Sequence, residues 1–285
     1  MSEVEGRAGR TTASELFALN GEERRPKHDQ VVTEEPLEVR LVAGGTIRPL
    51  AVTMRTPGND FELAAGFVYS EGIVRARDDL AQLTYCIDPQ IDPEQRYNIV
   101  NVELRGCAGI PELARFERSF TMSSACGVCG RAQLDSLRDL GAAPLDDHVR
   151  ITPSNLYALP QRMREAQRVF DTTGGLHAAA LFDQTAKMMA VREDVGRHNA
   201  VDKLVGWALM NGRIPLHGCA LAVSGRASYE ILQKAVMARI PIVASISAPS
   251  SLAIELAREF NITLIGFLRG RSANLYAAPD RIAEC

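Results

Sequence analysis

No stretch of this chain approaches the ~18 uninterrupted apolar residues that a membrane-crossing helix needs, and Met1-Ser2-Glu3-Val4-Glu5-Gly6 has no basic segment leading into an apolar run. A soluble, cytoplasmic protein with no membrane partner is therefore expected. Positive charge is also in short supply: 32 Lys and Arg stand against 35 Asp and Glu, for a net charge of −3. No global field recruits nucleic acid, and any anion site must be built locally from arginines and backbone amides. Histidine is sparse as well, with five in 285 residues, none between His28 and His148 and none followed by x-Glu. Only one CxxC occurs, and Ala125 stands where the zinc deaminases carry a proline. No zinc is expected. No internal repeat is visible.

Apolar residues make up 46% of the chain, enough for a substantial core without staples. The six cysteines, Cys86, Cys107, Cys126, Cys129, Cys219 and Cys285, are expected to be thiols in a reducing compartment. Only two are spaced as a unit, in Ser123-Ser124-Ala125-Cys126-Gly127-Val128-Cys129-Gly130. The small residues leave both sulfurs sterically open and argue for a loop. Near neutral pH a nucleophilic thiol has to be held as thiolate, which nearby amides and Arg131 would favour. A thioredoxin-like pair usually follows an aromatic residue and encloses a proline, neither of which is present here. Two incidental thiols are the bland alternative, and a loop that handles sulfur is the better chemical reading.

Taken in order, residues 1–28 are polar and aperiodic and predict a disordered tail. Residues 38–54 read as two strands around Gly44-Gly45, with Pro49 keeping the second at an edge or bulge. Asn59 or Asp60 is expected to cap a helix over 61–72, and residues 97–104 alternate as a strand. These form a small N-terminal α/β domain, 29–105. Residues 106–148 are expected to be a mobile loop carrying the thiols, then a short helix over 132–140 and a linker, because loops beyond about 12–15 residues are usually functional or disordered. From 149 to 285 the pattern predicts a helix over 151–170, strands over 178–182 and 187–191, a helix over 199–210, and then strand, helix, strand, helix, strand from 220 to 267. Strands alternating with helices imply an α/β fold with a three-layer αβα C-terminal domain.

Three of those strands deliver polar loops to one rim, where open α/β sheets collect ligands. Ser224-Gly225-Arg226-Ala227-Ser228 lies between a strand and a helix, so amides, hydroxyls and Arg226 can converge on a phosphate. Ala248-Pro249-Ser250-Ser251 follows the next strand. Phe267-Leu268-Arg269-Gly270-Arg271-Ser272 follows the last. Singly each could be an ordinary turn with capping serines; together, two with arginines, they favour a phosphorylated ligand. His177, after Thr173-Gly174-Gly175, and His198, within Glu193-Asp194-Val195-Gly196-Arg197-His198-Asn199, could each orient a ligand or serve the structure. The acidic pair in the latter segment is also what a capped helix start with local salt bridges would show.

With these motifs in this order, over roughly residues 30 to 280, the chain resembles the FdhD/NarQ family of formate dehydrogenase accessory sulfur carriers. The resemblance implies a cytidine deaminase-like C-terminal domain without the deaminase metal, and a homodimer. It implies that a cysteine desulfurase places sulfane sulfur on Cys126 as a persulfide, with Cys129 assisting. The acceptor would be the molybdenum bis-guanine-dinucleotide cofactor of formate dehydrogenase, for which GDP or GMP is the expected mimic. Phe267, Leu268, Arg269, Gly270, Arg271 and Ser272 align with the cofactor-binding segment, and Ser224, Gly225, Arg226 and His177 are expected beside it. A chaperone that docks the cofactor without obligatory cysteine chemistry is the alternative.

Overall fold

A computed structural model of the chain describes residues 8–106 and 130–284. Twelve strands are described, in three sheets. β1 (Thr11–Asn20) and β2 (Glu23–Val32) make an antiparallel hairpin. β3 (Glu35–Ala43) and β4 (Thr46–Arg55) follow, turning through Gly44 and Gly45 at φ 55° and 78°, a positive pair that side-chain-bearing residues seldom adopt. α1 (Asp60–Ser70), β5 (Leu80–Tyr85), the single turn α2 (Pro93–Arg96) and β6 (Ile99–Leu104) complete a sheet of order β4-β3-β6-β5. Pro49 lies on the edge strand β4 beside a bulge in the β3–β4 register, where its missing N–H costs no ladder bond.

After α3 (Gly130–Asp139) come α4 (Pro153–Glu165), α5 (Arg168–Thr173), β7 (His177–Phe182), β8 (Met188–Asp194) and α6 (Arg197–Met210). β9 (Ala220–Val223), α7 (Tyr229–Met237), β10 (Ile242–Ser245), α8 (Ser251–Glu259), β11 (Thr263–Arg269) and β12 (Ser272–Ala277) follow, and a 3-10 turn at Pro279–Arg281 comes after them. The second sheet has the order β12-β11-β10-β9-β7-β8, with β9, β10 and β11 parallel. Its strands alternate cleanly between two cores. Ala179, Leu181, Leu221, Val223, Val243 and Leu264 face α6, α7 and α8, whereas Ala178, Ala180, Phe182, Ala222, Ala244 and Ile265 face α4. Helices on both faces explain why the four inner strands, β11, β10, β9 and β7, are largely apolar. The C-terminal sheet thus has the expected three layers. Among the described residues no helix is long and apolar enough to cross a membrane.

The two sheets share the first of those cores, because α1 from the N-terminal part packs directly on α6. The contact is closest at Gly66 and Gly206. A β-carbon on Gly66 would lie 2.7 Å from the Asp202 carbonyl carbon and 2.8 Å from the Gly206 nitrogen. Buried polar groups lock the same junction. The Lys203 ammonium pairs with Asp194 at 2.6 Å, both fully buried, and donates to the Thr56 carbonyl at 2.8 Å. Lys234 pairs with Asp202 at 2.8 Å, and Ser70 donates to that carboxylate at 3.0 Å. Arg55, 1% exposed, binds Asp60, Glu35 and Asn98 at 3.1, 3.3 and 2.9 Å.

Three expectations are corrected. The disordered tail over 1–28 gives way, from Thr11 onward, to the β1–β2 hairpin, which turns at Gly21 (φ 60°) and Glu22. Few of its side chains are buried, so it shows no hydrophobic pattern; the backbone ladder, Arg24 stacked 3.9 Å above Phe17, and a Thr12–Thr33 hydroxyl bond of 2.7 Å hold it. Its base is tied down by Arg10, which donates to the Glu193 carbonyl. Asn59 sits at the α1 N-cap in a left-handed conformation with no side-chain cap bond, and Asp60 instead accepts from the Gly58 amide and Arg55. The helix expected over 151–170 is two helices, because the Glu193 carboxylate takes the amides of Val169 and Phe170 at 3.2 and 2.9 Å and starts α5 afresh.

Candidate functional site

The parallel run of β9, β10 and β11 puts their carboxyl ends on one edge. β7 runs antiparallel to β9, so its first residue, His177, arrives at that same edge. The loops there are bonded to one another. The Ala227 amide donates to the Ala248 carbonyl at 3.2 Å, the Ser250 amide to the Ala227 carbonyl at 3.0 Å, and the Ser245 hydroxyl to the Gly225 carbonyl at 2.7 Å. Phe267, held at φ 53°, donates its amide to the Ser247 carbonyl at 3.1 Å. Gly266 is required beneath it, since a β-carbon there would approach Pro249 Cδ and Tyr276 Cε2 to 2.9 Å.

On this frame Phe267, Arg269, Gly270, Arg271 and Ser272 are exposed at the β11–β12 turn, with Leu268 buried as its anchor and Arg269 Nε donating to the Ile246 carbonyl at 3.2 Å. Arg226 is exposed on the neighbouring loop. The serines are less free than expected. Ser224 Oγ accepts from the Ala178 amide at 2.9 Å, and Ser228 Oγ lies 3.1 Å from His198 Nε2. Ser250 caps α8. The acidic residues of the 193–199 segment serve the structure: Glu193 starts α5, while Asp194 accepts from Thr56, Gly196, Asn199 and Lys203. The same segment delivers Arg197. A β-carbon on Gly225 would sit 3.3 Å from His177 Nδ1 and 3.4 Å from Arg197 Cδ, so these three residues converge.

Burial, joined by the charge of Arg197, lowers the pKa of His177. Burial also brings His198 down to about 4, against the opposing pull of Glu230 at 3.6 Å. Both imidazoles are neutral near pH 7. Beside His198 a cavity of about 260 Å³ opens between a wall containing Val39, Ala51 and Thr53 and one containing Asp202, Glu230 and Lys234. A folded pKa below the unfolded value of about 6.5 means that the unfolded chain takes up the proton first, so stability is lost as pH falls from about 6.5 towards 4. The His198→Gln variant should therefore lose less stability than wild type between those pH values, by about 2 kcal/mol. Urea unfolding at both pH values measures this; parallel losses in the two proteins would count against it.

Cys126 and Cys129, together with most of the loop expected over 106–148, lie outside the described residues. Past the thiols the chain is anchored on the C-terminal domain. α3 begins at Gly130, buries Leu137, and pairs Arg138 with Glu259 of α8. The expected linker over 144–149 is pinned by Leu145, which is buried, donates to the Phe260 carbonyl at 2.9 Å and accepts from Arg281. Cys86 and Cys219 are buried thiols, and burial raises Cys219 to about 11. That leaves Cys219 poorly suited to thiolate chemistry.

Together these features define an α/β protein whose open sheet edge presents a histidine- and arginine-bearing rim. The sequence model of the FdhD/NarQ family matches residues 32–283, and the chain belongs to that family. It is 54% identical over 257 residues to the sulfur carrier protein FdhD of Streptomyces coelicolor, covering 90% of this chain and 89% of that one. The sulfur carrier protein FdhD of Sulfurisphaera tokodaii is 42% identical, over 94% of this chain and 97% of its own. Among solved structures, a Desulfotalea psychrophila chain described as a candidate formate dehydrogenase accessory protein superposes with a TM-score of 0.73 at 23% identity, covering 96% of this chain and 99% of that one. That likeness concerns the fold.

Proposed function

We propose that the protein is a sulfur carrier in formate dehydrogenase maturation, working as a sulfurtransferase through a persulfide on Cys126. Its family membership over residues 32–283 carries this reading, and the rim of hydrogen-bonded loops is the geometry that fits it. The Cys126 thiolate attacks the outer sulfur of a cysteine desulfurase persulfide; one S–S bond forms, the other breaks, and the desulfurase thiolate leaves. Delivery as sulfide consumes two electrons, which Cys129 supplies by attacking the Cys126 sulfur and closing a disulfide. The acceptor is the molybdenum bis-guanine-dinucleotide cofactor as substrate. Its pyrophosphates suit the exposed guanidinium groups of Arg226, Arg269 and Arg271, and the edge holding Ser224, Gly225 and His177 lies alongside. On this reading the three-layer domain is cytidine deaminase-like without its metal, and the protein acts as a cytoplasmic homodimer serving formate dehydrogenase.

Incubation with a cysteine desulfurase and cysteine should add one sulfur atom to the intact mass. The adduct should vanish in Cys126→Ala, and GDP binding should weaken in Arg269→Ala. If no adduct forms, or if it survives Cys126→Ala and Cys129→Ala alike, the persulfide role is wrong. Retained GDP binding would then leave a docking chaperone.

A further inference from the structure

Arg197 is a cation whose neighbours have been taken. Asp194 accepts from Lys203, Thr56, Gly196 and Asn199, and Glu193 accepts from two backbone amides. Glu230 faces His198. Among the described residues the buried Nε of Arg197 has no hydrogen-bond partner, and no carboxylate pairs with its guanidinium. Glu230 lies close enough to feel the charge of Arg197 without pairing with it, and the buried Nε left without an acceptor is costly unless a ligand supplies one.

The surroundings of Arg197 suit an anion. The side chain lies against Gly225, where a β-carbon would touch Arg197 at 3.4 Å and press on His177 Nδ1 at 3.3 Å. His177 is half-buried and neutral, so it adds no competing charge and can donate from one ring nitrogen. Gly196 precedes α6 without a side-chain cap, so the first-turn amides keep their donors. From β11 to β7 the sheet takes three strand steps, which separates this cluster from the β11–β12 turn by about 14 Å.

We propose that Arg197, His177 and Gly225 form a second anion subsite at the β7 end of the rim, which takes a phosphate-sized oxyanion independently of the arginines at 269–271. This rests on the proposed function only in treating the rim as the ligand-binding face. A substrate with more than one anionic group would then be held at two points, which fixes its direction along the edge.

Titration of the full-length protein with inorganic phosphate in an uncharged-amine buffer, followed by phosphorus NMR with and without saturating GDP, tests the subsite. Phosphate should bind once per chain and persist beside GDP. Arg197→Gln should weaken phosphate at least about tenfold while leaving GDP binding unchanged, and Arg269→Ala should do the reverse. Arg197→Lys, which keeps the charge but loses the fork, should fall between, and Gly225→Ala should weaken phosphate by crowding. Absence of phosphate binding, full displacement of phosphate by GDP, or unchanged affinity in both Arg197 variants would overturn the subsite. A wild-type protein that binds phosphate but no GDP would instead sink the nucleotide reading and leave the subsite standing.

Discussion

A methyl group at Gly66 is expected to lower stability by about 3 kcal/mol, although alanine is the better helix former by about 1 kcal/mol. The atoms it would meet are backbone, the carbonyl of Asp202 and the nitrogen of Gly206, and neither can rotate away. α1 and α6 would have to separate, and that junction carries the core shared by both sheets. Gly206 is the reciprocal case, since a β-carbon there would meet the Glu62 carbonyl carbon and the Gly66 nitrogen, each at 2.7 Å. Gly66→Ala and Gly206→Ala should each lower the thermal midpoint by roughly 5–10 °C. The double variant should cost clearly less than the sum, because one separation of the helices makes room for both methyl groups. Calorimetry of the three variants decides it. Two near-neutral single variants, or strict additivity, would mean that the helices are not held at this distance.

This junction was invisible in the sequence for a physical reason. Gly66 and Gly206 sit in ordinary helical patterns, and nothing local marks them as facing one another. What could be read was what local chemistry dictates: the Gly44-Gly45 turn, Pro49 at an edge, and the alternation that gives a sheet covered on both sides. The rim followed from the same logic, since Arg226 lies just past the end of β9 and Arg269 at the end of β11. The β1–β2 hairpin escaped because its strands are solvated on most positions, although Gly21 was the available turn signal. The roles of Glu193 and Asp194 were undecidable locally. Their partners, Phe170 and Thr56, are 23 and 138 residues away. That Arg197 has no carboxylate paired with it among the described residues became visible only once those two were placed.

Breaking the Lys203–Asp194 pair should therefore disturb both the fold and the rim. Both groups are fully buried at 2.6 Å, with burial pushing the Lys203 ammonium down in pKa while Asp194 holds it up. Lys203→Met leaves a carboxylate in the core without its countercharge and the Thr56 carbonyl without its donor, at a cost of about 3–5 kcal/mol. Asp194 also fixes the turn before α6, through the Gly196 amide at 2.8 Å and Asn199 at 3.0 Å, so its displacement unseats Arg197. Phosphate binding should weaken together with stability. Adding Asp194→Asn removes the stranded charge while keeping an oxygen for the Gly196 amide. The double variant should recover roughly 2 kcal/mol relative to additivity, and with it part of the phosphate affinity. Chemical denaturation gives the coupling energy and phosphorus NMR the affinity. A Lys203→Met protein of wild-type stability would show that the pair does not hold this turn; recovered stability with no recovery of binding would separate the turn from the site.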